Sequence, residues 1–201
     1  MKAVLFDMFG VLARVQSTES QAVIERTAGV SGERFWDAYW SLRHPYDRGD
    51  VMGPAYWRTV GERLGTPFTA RQVDDLIAAD LASWSEVDQE SVDFLAELAG
   101  RGVRLGLLSN IPEELAVHYE ATQEWLGHFS VVGLSCRIGS AKPEPAAYTW
   151  CSRELGLPAE EILFVDDRCD NVLAAREVGM RGHVFTGVGT LAAALEEENT
   201  G

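Results

Sequence analysis

Five short runs of apolar and β-branched residues punctuate the chain: Ala3 to Phe6, Val103 to Leu108, Phe129 to Leu134, Ile162 to Val165 and Gly182 to Phe185. Each is too short for a helix and mostly apolar throughout instead of alternating, which predicts strands buried on both faces of a parallel sheet. Between them the period lengthens. Val92, Leu95, Ala96 and Leu98 form a helical stripe that stops at Gly100-Arg101-Gly102, and Glu113–Gln123, Pro145–Leu155, Asn171–Val178 and Leu191–Glu197 read as further helices. Strand and helix in alternation predict an α/β fold, a Rossmann-like doubly wound parallel sheet.

The stretch between the first strand and the helix near residue 90 has another texture. It is helical in period, contains no convincing strand, and gathers Phe35, Tyr39, Trp57, Val60, Leu76 and Leu81 into an apolar interior. Thr69 and Gln72 have the spacing of a capping box. These features predict an inserted all-helical cap domain over 14–87, with 1–13 and 88–201 forming the core. Hinges are expected near Ala13 to Ser17 and Glu86 to Glu90. Four of the six tryptophans, Trp36, Trp40, Trp57 and Trp84, fall in the insertion; most are expected in its core, with one or two lining a substrate pocket. Trp40, Arg43, His44, Tyr46 and Arg48 are the residues of the insertion best placed by type to face a cleft.

Composition narrows the partners. With 17 basic against 31 acidic residues the formal charge is −14, and no basic cluster relieves it, so neither nucleic acid nor an anionic membrane is an expected partner. The three cysteines, Cys136, Cys151 and Cys169, form no CxxC pair, and Asp7 and Arg14 break what could pass for a signal sequence. A cytoplasmic protein is expected, and nothing in the pattern specifies an oligomer.

In an open parallel sheet, ligands bind beyond the carboxyl ends of the strands. Those ends carry Asp7, then Ser109 and Asn110, then Lys142 in the loop after the third strand, then Asp166, Asp167 and Asp170. Carboxylates, a hydroxyl and one lysine suit a divalent cation together with an anionic substrate. The order and spacing are more specific than any one of them. LFDMFGVL, GLLSN, GSAKPEPAAY and ILFVDDRCDNVLAAREVGM resemble the four motifs of the haloacid dehalogenase superfamily of aspartate-nucleophile hydrolases, and the helical insertion matches the position of the cap in its phosphatase and dehalogenase branch.

That resemblance implies that Asp7 is the nucleophile, forming an aspartyl-phosphate, and that Mg²⁺ is held by Asp7, the backbone carbonyl of Phe9, Asp166, Asp167 and Asp170. Ser109 and Asn110 would hold the transferring group, Lys142 would neutralise charge, and Asn171 would orient the site. Phosphatases of the family usually carry a second aspartate where this chain has Phe9. A general acid and base at that position is typically worth about 100-fold to 10,000-fold in rate. The favoured reading is therefore a Mg²⁺-dependent phosphohydrolase acting on a small phosphorylated metabolite with a good leaving group. Two alternatives stand beside it. One is a 2-haloacid dehalogenase, with Arg14 or Arg43 gripping the substrate carboxylate; the other is a binding or regulatory module that retains the fold without the catalysis.

Overall fold

Alternate residues of one strand serve two different cores. In β1 (Ala3–Phe6), Val4 and Phe6 face one layer of helices while Ala3 and Leu5 face the other. The computed structural model describes residues 1–200, with side chains through Glu196. Its sheet contains β1, β2 (Arg104–Ser109), β3 (Val131–Leu134), β4 (Ile162–Asp166) and β5 (Arg181–Val184), all parallel, in the order β3-β2-β1-β4-β5. This is the Rossmann-like α/β architecture that the apolar runs predict.

Five helices follow β1 as the insertion: α1 (Thr18–Ala28), α2 (Glu33–Ser41), α3 (Arg43–Asp47), α4 (Gly53–Arg63) and α5 (Ala70–Ser83). Then come α6 (Gln89–Gly100), α7 (Glu113–Thr122), the short α8 (Ser135–Ile138), α9 (Pro145–Leu155), α10 (Cys169–Glu177) and α11 (Val188–Thr200). Leu95 of α6, Leu115 of α7 and Leu191 of α11 pack with Val4 and Phe6. On the opposite face, Tyr148 and Cys151 of α9 and Val172 of α10 pack with Leu5 and Phe164. No described helix is long and apolar enough to cross a membrane.

The helices α1 to α5 enclose an apolar cluster of their own, centred on Ile24, Phe35, Tyr39, Trp57, Val60 and Leu76. Thr69 caps α5 in a reciprocal capping box with Gln72. The chain leaves the core at Ala13 and returns at Val87, and these two residues form an antiparallel bridge. The amide of Arg14 donates to the Glu86 carbonyl at 2.8 Å and that of Asp88 to the Leu12 carbonyl at 2.9 Å. His44 and Arg48 of the insertion reach Glu144 at the start of α9, at 3.2 and 3.3 Å.

Several element bounds shift against the pattern: β2 and β3 begin later, at Arg104 and Val131, and α11 begins earlier, at Val188. β5 begins one residue early and is only partly buried, as an edge strand can be when only one side pairs with a neighbour. α10 begins at Cys169 instead of Asn171, which puts Asp170 in a helical turn and not in the loop after β4.

Candidate active site

The direction of strand order reverses between β1 and β4, and the crevice at such a switch point is where open α/β sheets bind ligands. Phe6 of β1 registers with Val165 of β4, so the next residue of each strand, Asp7 and Asp166, emerges at the same end of the sheet. Both are buried, at 6% and 0% exposure. Lys142, in the loop between α8 and α9, places its ammonium 2.6 Å from Asp7 Oδ1 and 2.7 Å from Asp166 Oδ2. Carboxylate oxygens of Asp7, Asp166 and Asp167 all lie within 4.8 Å of one another.

Supporting hydrogen bonds fix this cluster. Asn171 Nδ2 donates to both oxygens of Asp166, at 3.1 and 3.0 Å, and the Arg168 amide donates to Asp166 Oδ1 at 2.8 Å. Asn110 clasps the backbone of Lys142 from two sides: its Oδ1 accepts from the Lys142 amide at 2.7 Å and its Nδ2 donates to the Lys142 carbonyl at 2.8 Å. Gly10 has φ +88°, and a Cβ there would lie 2.3 Å from Asp167 Oδ2. Glycine at this turn thus leaves the space that the Asp167 carboxylate fills.

Burial pushes the Asp7 carboxyl up to about 8 in spite of the adjacent Lys142 ammonium, and Asp166 adds to the rise. Asp167 is raised by burial first and by Asp166 second. Burial opposes the charge on Lys142, but the two carboxylates outweigh it and its pKa rises. Three carboxylates face one ammonium, a formal excess of two negative charges if all are ionised. Hard oxygen donors with that excess suit Mg²⁺, which would offset the charge and favour the ionised form of Asp7.

The site residues expected from the sequence do not all gather. Ser109, at the end of β2, is fully buried and its Oγ has no hydrogen-bond partner among the described residues. Asn110 lines the cavity above the cluster, yet its side chain is committed to Lys142. Phe9 lines the same cavity, with its ring 5.1 Å from that of Trp84 and 5.8 Å from that of Tyr119. Asp170 stands outside the carboxylate trio. Exposed in the first turn of α10, it pairs with Arg168 at 2.7 Å, which holds its carboxyl below the usual range.

The cavity holds about 390 Å³ and is shared with the insertion, which contributes Trp40, Arg43 and Trp84. Trp57 is core, as expected of most of these tryptophans, and Tyr46 is buried. Arg43 is buried between Asp47 at 2.8 Å and Asp80 at 2.9 Å, and its guanidinium also donates to the Tyr39 hydroxyl. Asp80, and its pairing with Arg43 and Tyr39, is not among the expectations from the sequence. The signal exists, because Val73, Leu76, Asp80 and Ser83 are the buried positions of α5 and follow helical spacing; a carboxylate in such a stripe requires a buried partner.

Residues 1–179 match the family described as haloacid dehalogenase-like hydrolase. The chain is 28% identical over 192 residues to the sesquiterpene phosphatase astK of Aspergillus oryzae, covering 90% of this chain and 88% of that one. A HAD family enzyme from Bacteroides thetaiotaomicron, solved with magnesium and inorganic phosphate, superposes with a TM-score of 0.74 at 18% identity, covering 91% and 93% of the two chains. An L-2-haloacid dehalogenase from Xanthobacter autotrophicus, solved with chloropropionic acid covalently bound, gives 0.68 at 23% identity over 90% and 76%. The two structural likenesses establish the fold. The family match establishes membership: this chain belongs to the haloacid dehalogenase-like hydrolases, a family of enzymes.

Proposed function

We propose that this hydrolase is a Mg²⁺-dependent phosphatase in which Asp7 is the nucleophile, acting on a small phosphorylated metabolite whose leaving group departs without help from a proton donor at position 9. The observation that carries the reading is the Asp7–Lys142–Asp166 contact at the switch point, with Asp167 within reach. Asp7, Asp166 and Asp167, with the Phe9 carbonyl, would hold the ion. When bound, it supplies positive charge to the phosphoryl oxygens.

Asp7 attacks phosphorus, the bond to the leaving oxygen breaks, and an aspartyl-phosphate forms that water then hydrolyses. Lys142 stabilises the charge that collects on the transferring group, and the buried, unpartnered hydroxyl of Ser109 is a donor for it. Asn110 positions Lys142, and Asn171 positions Asp166. Residues 14–87 serve as a cap, which limits water around the reacting groups. The phosphatase name of the fungal relative points the same way. Three unpaired cysteines agree with work in the cytoplasm.

The haloacid reading needs a cation for the substrate carboxylate. Arg14 is drawn to Glu86 and Asp88, at 3.4 and 3.5 Å, and Arg43 is taken by Asp47 and Asp80. Phosphate release from acetyl phosphate and from a sugar 1-phosphate, with and without Mg²⁺, tests the proposal. Turnover that requires the ion and disappears in Asp7→Asn supports it. Chloride released from 2-chloropropionate without metal, and no phosphate from either phosphorylated compound, would replace it with dehalogenation.

A further inference from the structure

Part of the cavity lining is aromatic and apolar. Phe9, Trp84 and Trp40 meet edge to face, at 5.1 and 6.2 Å between successive rings, and Val15 stands beside them. Set into this lining is one polar side chain with unspent capacity. Gln16 lines the cavity and is 7% exposed, and its Oε1 is buried with no hydrogen-bond partner among the described residues.

The orientation of that amide is fixed by its neighbours. Gln16 Nε2 lies 2.7 Å from Ser83 Oγ and 3.4 Å from both Asp80 Oδ1 and the Tyr39 hydroxyl. Ser83 gives its proton to the Asp80 carbonyl at 2.6 Å, and Tyr39 gives its own to Asp80 Oδ1 at 2.6 Å. All three groups facing Gln16 can therefore only accept, so the NH₂ must turn toward them. The carbonyl oxygen is left over as an acceptor, and a buried acceptor without a donor is costly.

We infer that Gln16 is a specificity residue: its Oε1 accepts a hydrogen bond from a hydroxyl or N–H on the organic part of the substrate, whose flat apolar face lies against Phe9, Trp84 and Trp40. The inference rests on the reading that the phosphoryl group sits at Asp7. A substrate of this class presents phosphate to the floor, an apolar face to the aromatic wall, and one donor on its edge to Gln16. A site built to bond a hydroxyl discriminates against the analogue that lacks it, because its own polar group is then stranded.

The test uses the full chain with Mg²⁺ and two matched series, hydroxyphenyl phosphates and methylphenyl phosphates substituted at ring positions 3 and 4. At one position or both, the wild-type protein is expected to favour hydroxyl over methyl by about fivefold to tenfold in kcat/KM, the worth of one neutral hydrogen bond. Gln16→Met, which keeps length and loses the acceptor, brings that ratio to about one. Ser83→Ala, which frees the amide to turn, lowers it. A loss of stability alone would scale both series equally and leave the ratio unmoved.

Calorimetric titration with hydroxybenzyl and methylbenzyl phosphonates, which cannot be hydrolysed, separates this inference from the phosphatase reading. A hydroxyl preference in binding that vanishes in Gln16→Met, with no phosphate released from any ester, keeps the inference and removes the phosphatase. Phosphate release with equal rates for hydroxyl and methyl in the wild-type protein removes the inference and keeps the phosphatase. A hydroxyl preference that survives Gln16→Met assigns the acceptor elsewhere and overturns the inference. Neither binding nor turnover overturns both.

Discussion

Two buried cations in this protein each sit between two aspartates, and their surroundings differ. Arg43, in the insertion, is gripped by Asp47 and Asp80, covered by the rings of Tyr39 and Tyr46 at 5.1 and 5.2 Å, and backed by Gln16, Ser83 and Trp84 through the Asp80 and Tyr39 oxygens. Its pKa rises because the two carboxylates outweigh burial. Lys142, in the core, bridges Asp7 and Asp166 on the wall of an open cavity, with a third carboxylate nearby and an orphaned serine hydroxyl at the end of the adjoining strand. The first cluster holds structure around a guanidinium met by Asp47, Asp80 and Tyr39, with the Gln16 carbonyl oxygen left as a spare acceptor on the cavity lining. The second has capacity to spare, and spare capacity in a buried polar cluster is what chemistry uses.

The most severe way to break this contrast is to remove one function at a time. Asp7→Asn should lower phosphate release by about 10⁴-fold or more, as loss of a nucleophile does, with little change in the denaturation midpoint. If the midpoint fell and activity survived, the core cluster would be structural after all. Arg43→Met should do the reverse at the insertion, costing about 3–5 kcal/mol of stability through two stranded carboxylates. Urea denaturation followed by tryptophan fluorescence reads it, and an unchanged midpoint would show that the insertion tolerates the loss.

Gly10→Ala sharpens the contrast without replacing any proposed ligand. The added methyl collides with Asp167, so affinity for Mg²⁺ should drop about 10-fold, the usual scale for displacing a group that orients a metal site. Calorimetric titration with Mg²⁺ measures it, and equal affinity would take Asp167 out of the ion's reach. The smallest effect is one of pH. A carboxyl lifted to about 8 must lose its proton before it can ligate, so binding releases protons at pH 7 and strengthens as pH rises. For a single such group, apparent Mg²⁺ affinity should climb about fivefold from pH 7 to pH 8 and level off above, and Asp7→Asn should flatten the curve.

The core was legible because parallel strands with two covered faces must be apolar throughout, and the chain returns to the same sheet end after each one. Asp7, Ser109, Lys142 and Asp166 could be placed at strand ends by counting along those runs. The insertion was legible in period but not in partners: Arg43 and Asp80 meet across 37 positions, and the stripe of α5 calls for a partner to Asp80 without naming Arg43. Asp170 illustrates the same limit from the other side. It lies in the first turn of α10, lines the cavity and pairs with Arg168, an ion pair that the acidic motif alone does not announce.

The bridge between Ala13 and Val87 has a consequence for modularity. Seventy-odd residues depart from and return to the core at adjoining points, so their ends stand as close as the two arms of a hairpin, and a tight turn could join them. A chain already closed at its base adds little loop entropy to the core it interrupts. A change of length within the five helices can be absorbed between these two residues without pulling on the strands, while Trp84, buried in the core's own cluster, ties the last of the five to the sheet below.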